Sequence, residues 1–292
     1  MRVLTLLLML PILLQSQTLE EGLKPLGTFI RLQLRTAPFP HPARDTGHVY
    51  GTKRFPAELH YRDSGVGVFV PRGFRPDKPL DLVVHIHGWS ANIDSVIVKF
   101  RLAEQLSQSG KNAVLVVPQG PKNAPDSFGG RLEGQDAFRS FVADVGEALY
   151  SRKLVGSPTV RTIVLSGHSG AYRMMSFILL RGGVTDRISE VYTFDALYGQ
   201  LEKFGHWLAN SRGRFVAIYC DSGGTKSTTE SLMEDLRGWN LPFTAGEESD
   251  SSLDLKEERV TFIHSELEHN EVIAVRNQFQ RFLSTGALDD KK

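Results

Sequence analysis

In "GHSGA", residues 167–171, a serine stands with a glycine two places before it and an alanine two places after it. A hydroxyl of this kind is a poor nucleophile at neutral pH. It needs a base to take its proton and fixed donors to stabilise the oxyanion formed when it attacks a carbonyl. A sharp turn from strand to helix supplies part of both. It pushes Ser169 clear of the sheet edge and offers the N–H groups of the helix start to the developing charge. Such a turn crowds the positions two before and two after the serine, and Gly167 and Ala171 leave the room it requires. The bland alternative is a turn made by Gly167 and Gly170 with no chemistry attached, so the flanking segments decide. A β-branched run, "RTIVLS", enters the motif, and "AYRMMSFILLR" (171–181), apolar on most sides, leaves it and closes at Gly182-Gly183 as helices do.

Those flanks belong to a longer alternation. Apolar strand-like runs at "LDLVVHIH", "NAVLVVP", "VRTIVLS", "EVYTF", "RFVAIYC" and "RVTFIH" are separated by segments of helical spacing, the pattern of a parallel α/β sheet. Ahead of them, "AELHYRD", a turn at Ser64-Gly65 and "VGVFVP" read as an antiparallel hairpin. Phe138, Phe141, Val142, Val145 and Leu149 form one helical stripe, and Val272, Val275, Phe279 and Phe282 another; both are core faces. Residues 17–56 mix Pro, Gly, Arg and Thr and are expected to lie as an extended segment over the domain. Residues 245–258 have the composition of a solvated loop, and 286–292 that of a flexible tail. Neither an internal repeat nor a linker divides the chain.

With its elements in this order, the chain resembles the α/β-hydrolase superfamily of serine hydrolases over about residues 57–285. The resemblance implies a mostly parallel, eight-stranded sheet flanked by helices. It also implies a catalytic serine, acid and histidine in that chain order, and an oxyanion hole completed by the loop after the third strand. That loop, "HIHGWSAN", looks like the His-Gly signature of lipases and esterases, which points to the main-chain N–H groups of Trp89 and Gly170 as hole donors. His87, Gly88, His168 and Ser127 are candidates for the substrate pocket. His85 and His87 could share a metal, since residues two apart on a strand face one side. The familiar binuclear pattern continues H-x-H-x-D-H, however, whereas this chain continues "HIHGWS", so neither a metal nor another cofactor is expected.

The base belongs in the loop after the last strand, where His269 in "LEHNEVI" fits and His264 still lies within the strand pattern. For the acid, the commonest superfamily position beyond the seventh strand holds Gly and Thr, in "CDSGGT". Asp195 in "VYTFDALYG" matches the position used by pancreatic-type lipases and is preferred. Asp221 is the alternative acid, and Asp126 in "PDSFGG" is a third candidate in a loop better suited to lining a pocket. Between Asp195 and the next strand there is room for one helix and for no large cap domain.

The reading that follows is a serine hydrolase, foremost a carboxylesterase acting through an acyl-enzyme on small-molecule or polymer-borne esters. A peptidase or amidase would use the same residues. A non-catalytic binding protein that keeps the fold is the reading from a different class. With 34 Lys plus Arg against 33 Asp plus Glu, and no basic block with interleaved aromatics, a nucleic-acid partner is not expected. Residues 1–16 read as a signal peptide: Arg2, an apolar run from Val3 to Leu14, and the small Ser16 at the cleavage position. That run is shorter than the ~20 residues that span a bilayer. Export to a periplasm or the exterior, with no membrane span after cleavage, is the expectation. Cys220 is the single cysteine, so no intrachain disulfide forms, and its place at the end of an apolar strand fits a buried structural thiol.

Overall fold

The computed structural model describes residues 18–250 and 253–291, so the leader expected at residues 1–16 lies outside the described residues. In chain order the elements are α1 (Leu19–Leu23), β1 (Gly27–Gln33), β2 (His48–Tyr50), β3 (Lys53–Phe55), α2 (Ala57–His60), β4 (Gly65–Pro71) and β5 (Leu80–Ile86). There follow α3 (Ile93–Lys99), α4 (Leu102–Gln108), β6 (Val114–Pro118), α5 (Ala137–Ser151), β7 (Val160–His168), α6 (Tyr172–Arg181) and β8 (Ile188–Phe194). The chain continues through α7 (Leu201–Asn210), β9 (Arg214–Cys220), α8 (Lys226–Gly238), β10 (Thr244–Glu247), β11 (Val260–Ser265) and α9 (Gln278–Ser284).

Nine strands form one sheet in the order β1-β4-β6-β5-β7-β8-β9-β11-β10. β4 pairs antiparallel with both its neighbours, and every pair from β6 to β10 is parallel. β5 and β6 are buried along their whole length and β7 and β8 along most of theirs, which is why they read as apolar runs and not as alternating ones. Helices cover both faces. Phe138, Phe141, Val145 and Leu149 of α5 pack on one side with Met174 and Ile178 of α6 and Phe204 and Trp207 of α7. Val96 and Ile97 of α3, Leu106 of α4, and Phe279 and Phe282 of α9 pack on the other.

Four expectations change. The hairpin at 57–71 does not form: Pro56, at φ −67°, starts the helical turn α2, and β4 pairs instead with β1 and β6. β1, from the segment expected to lie over the domain, joins the sheet edge; with β10 gained and the strand expected at 57–63 absent, the sheet has nine strands where eight were expected. The start of the segment expected as a loop at 245–258 instead forms, with Thr244, the opposite edge strand, β10 (Thr244–Glu247). The C-terminal stripe is not one helix. Val272 is buried in a turn, Val275 is exposed, and α9 begins only at Gln278.

The chain runs from β5 outward to β6 and then returns past β5 to β7, so the winding reverses between β5 and β7, where open α/β sheets bind their ligands. One hydrogen-bonded row crosses the sheet there: Ile86 opposite Gly167, Gly167 opposite Thr193, and Thr193 opposite Ala217. Two residues beyond that row on three successive strands stand Gly88, Ser169 and Asp195.

Candidate active site

Ser169 takes up φ +56°, the left-handed region that a side chain normally avoids. Its neighbours make this possible. A Cβ on Gly167 would lie 2.6 Å from Ala171 Cβ and 2.5 Å from Met175 Sδ, so only glycine fits under the turn. Opposite, a Cβ on Gly88 would fall 2.7 Å from Ser169 Cβ and 3.3 Å from the Gly170 nitrogen, so the loop after β5 lies directly against the start of the helix after β7. His87 fixes that loop. Its Nε2 accepts from the Gly120 N–H at 2.9 Å and from the Gln119 amide, and its Nδ1–H donates to Gly88 O at 2.9 Å. Burial lowers its pKa and keeps the ring neutral, as an acceptor nitrogen requires.

Asp195, fully buried at the end of β8, also turns at positive φ, +44°. Its Oδ2 accepts from His269 Nδ1–H at 2.5 Å and from the Cys220 thiol at 3.1 Å, and its Oδ1 accepts from the Thr225 hydroxyl. Gly223 sits hard against the carboxylate, for a Cβ there would lie 1.5 Å from Oδ2. His269 is held from two more directions: its N–H donates to Ser222 Oγ at 3.3 Å, and its carbonyl accepts from His168 Nε2–H at 2.9 Å.

Burial pushes the Asp195 carboxyl up, but the hydrogen bonds from His269, Thr225 and Cys220 outweigh it and leave its pKa below the ordinary value. The carboxylate therefore stays charged, able to hold the His269 tautomer with Nε2 free to act as a base. His168, buried beside His269 and within its field, drops to about 3 and is a neutral donor. Asp195, Cys220 and His269 lie close enough to suggest a metal site among the described residues. With no ion bound, burial and the adjacent carboxylate raise the thiol to about 11, so Cys220 donates to Asp195 as a protonated group and adds to the bonds that hold the carboxylate.

Ser169 opens on a cleft with two lobes that meet at Trp89. One, of about 320 Å³, is lined by Gly88, His168 and His269 among others; the second, of about 360 Å³, by Ser127, Gly170, Tyr172 and Tyr198. Ser127 accepts from Trp89 Nε1–H at 2.7 Å, and Tyr50 of the β2–β3 hairpin meets the indole edge at 5.2 Å. Of the sequence candidates, Ser169, His269, Asp195, Trp89, Gly170, Gly88, His168 and Ser127 are brought together. His87 is not on the cavity wall: it lies behind it with both ring nitrogens engaged. Asp221 is exposed and pairs with Lys226 at 2.7 Å and His264 at 3.2 Å, away from His269. Asp126 pairs with Arg44 at 2.7 Å and ties the loop after β6 to the N-terminal segment. His85 is a core residue, bonded through Nδ1 to Ser166 Oγ at 2.8 Å.

Sequence reasoning missed Cys220, Gly223, Thr225 and Tyr198. The Tyr198 phenol donates to Gly223 O, lies within hydrogen-bonding reach of Ser169, and is raised to about 12 chiefly by burial. The small and hydroxyl residues of "SGGT" just beyond the end of β9 mark a tight turn, but nothing in that run names Asp195 as its partner.

A parallel sheet wound in this order, with an elbow serine at the switch point, is the α/β-hydrolase fold. No protein-family model and no curated protein matches the chain. Solved structures do match. FphF, a fluorophosphonate-binding serine hydrolase of Staphylococcus aureus, superposes with a TM-score of 0.53 at 11% identity, covering 89% of this chain and 99% of that one. The feruloyl esterase module from Clostridium thermocellum gives 0.56 at 14% identity over 89% and 88% of the two chains. An S-formylglutathione hydrolase from Agrobacterium tumefaciens gives 0.51 at 12% identity over 88% and 94%. At these identities the shared property is the fold.

Proposed function

We propose that the protein is a serine hydrolase, a carboxylesterase working through an acyl-enzyme, with Ser169 as nucleophile, His269 as base and Asp195 as the acid that orients it. The observation that carries the reading is the hydrogen bond from His269 Nδ1–H to the buried, charged Asp195 on the cleft that Ser169 enters. In the first step His269 Nε2 takes the serine proton as Oγ adds to the ester carbonyl. The N–H groups of Trp89 and Gly170 receive the oxyanion: Gly88 packs against the Gly170 nitrogen, and Gly170 lies in the first helical turn, whose N–H groups lack intrahelical acceptors. Collapse expels the alcohol, which takes the proton from His269. Water then repeats the sequence on the acyl-enzyme and releases the acid. Esterase and serine hydrolase neighbours of the same fold support this choice of chemistry. The apolar leader supports export of the chain, with cleavage near Ser16, which N-terminal sequencing of the mature protein tests.

The deciding experiment is labelling with a fluorophosphonate, mapped by peptide mass spectrometry, on the native protein and on Ser169→Ala. An adduct on Ser169, absent from the folded alanine variant, with parallel loss of ester hydrolysis, is the expected result. A folded protein that takes no label would instead favour a binding protein on a hydrolase scaffold.

A further inference from the structure

The two lobes at Ser169 differ in their walls. One presents Tyr172 and Tyr198 around Gly170, and the other carries His269, His168, Phe100, Lys99 and Asn270, with Trp89 shared between them. On the function proposed above, on which this inference rests, the proton taken from Ser169 is handed to the leaving oxygen by His269. A general acid must be within hydrogen-bond reach of the atom it protonates. The alcohol half therefore occupies the lobe walled by His269, and the acyl half lies in the aromatic lobe.

Lys99, the last residue of α3, extends over the alcohol side. Its ammonium donates to Asn270 Oδ1 at 2.8 Å, and Asn270 directly follows His269. Lys99 is held by a neutral amide and by the face of the Phe100 ring, 5.5 Å from its ammonium, and among the described residues no ion pair includes it. The nearby acids point elsewhere: Glu271 accepts from the Glu268 N–H, and Asp195 is screened behind His269. His168, which shares the lobe, is neutral. A cation aimed and not neutralised, beside the leaving-group position, has the chemistry of an anion receptor.

We propose that the ester's alcohol half carries an anionic group, a carboxylate or a phosphate, that Lys99 binds from its perch on Asn270. The test compares kcat/KM for paired acetate esters of similar size: acetoxyacetate against acetoxyacetamide, and 2-acetoxyethyl phosphate against 2-methoxyethyl acetate. The neutral member serves as the reference within each variant. In Lys99→Gln the anionic-to-neutral ratio is expected to fall about three- to tenfold, mainly through KM, as for a partly exposed charge-assisted contact. Lys99→Arg should retain the ratio, Lys99→Glu should depress it further, and added salt should erode it in the native protein. The pair with the larger ratio identifies carboxylate or phosphate. A ratio equal in the native protein and Lys99→Gln, while Ser169 still hydrolyses the neutral esters, overturns this inference alone. Absence of any Ser169-dependent hydrolysis overturns the parent reading and this one together.

Discussion

Strands β7 and β8 are neighbours, and each is followed directly by a residue at positive φ, Ser169 at +56° and Asp195 at +44°. The space around them is made in opposite ways. For Ser169 the room under the turn comes chiefly from the chain itself, where a Cβ on Gly167 would press on Ala171 and Met175, with one distant aid, Gly88, beside the serine Cβ. For Asp195 it comes from elsewhere: Gly223 leaves the volume, Thr225 and Cys220 supply donors, and His269 arrives from the loop after β11. The seat of Ser169 is thus written mostly in its own stretch of sequence, and the seat of Asp195 is assembled by the tertiary fold.

Substitutions on the acid side should reveal that difference. The largest effect is expected from Asp195→Asn, which keeps the shape but disfavours the tautomer with Nδ1–H toward the acid; kcat should fall on the order of 10⁴-fold. Asp221→Asn, its rival in the sequence, should leave turnover unchanged, and steady-state kinetics of both variants on one ester checks the pair. Next comes Gly223→Ala. Its new methyl would displace a carboxylate oxygen 1.5 Å from the Cβ position, and a shift of that size costs about 10²-fold in kcat through misorientation. A variant at wild-type rate would mean that the Asp195 seat is soft.

Thr225→Val should cost about tenfold, the worth of one hydrogen bond to a charged acceptor. It should also move the pH profile in a definite direction. The Thr225 hydroxyl stabilises the charged form of Asp195 and so depresses its pKa, and its loss lets the carboxyl protonate at higher pH. The acid limb of kcat/KM should then shift upward, whereas a purely structural role would lower the rate at every pH alike.

The smallest effect lies in the loop after β6. Asp126 has a pKa held below the ordinary value despite burial, by Arg44 and the Phe128 N–H. A depressed carboxyl stabilises the fold above its unfolded pKa, and that contribution is lost as pH falls through the folded one. Asp126→Asn should therefore lower stability by about 1 kcal/mol near neutrality. The gap between variant and native protein should close under acid, as denaturant titrations at several pH values would register.

The same contrast explains what could be read in advance. The central strands and the elbow were legible because burial on both faces imposes apolar runs and because a crowded turn demands small residues at fixed spacing. That His269 and Asp195 would meet was legible through the order of elements that the superfamily resemblance implies. β1 and β10 were not, since edge strands bury one face at most and carry mixed compositions, and β1 shows this in its interrupted burial. Cys220, Gly223 and Thr225 act only through a residue 25 or more places earlier, and no local pattern records such a contact.

Trp89, standing where the two lobes meet, has a kinetic consequence on the proposed reading. After the alcohol departs, its lobe empties while the acyl group stays covalently bound in the other. The second nucleophile therefore enters beside His269 without disturbing the first half of the substrate. Double-displacement order is built into the partition, and an alcohol small enough for the vacated lobe competes with water for the acyl group. The balance between hydrolysis and acyl transfer then depends on what that lobe admits.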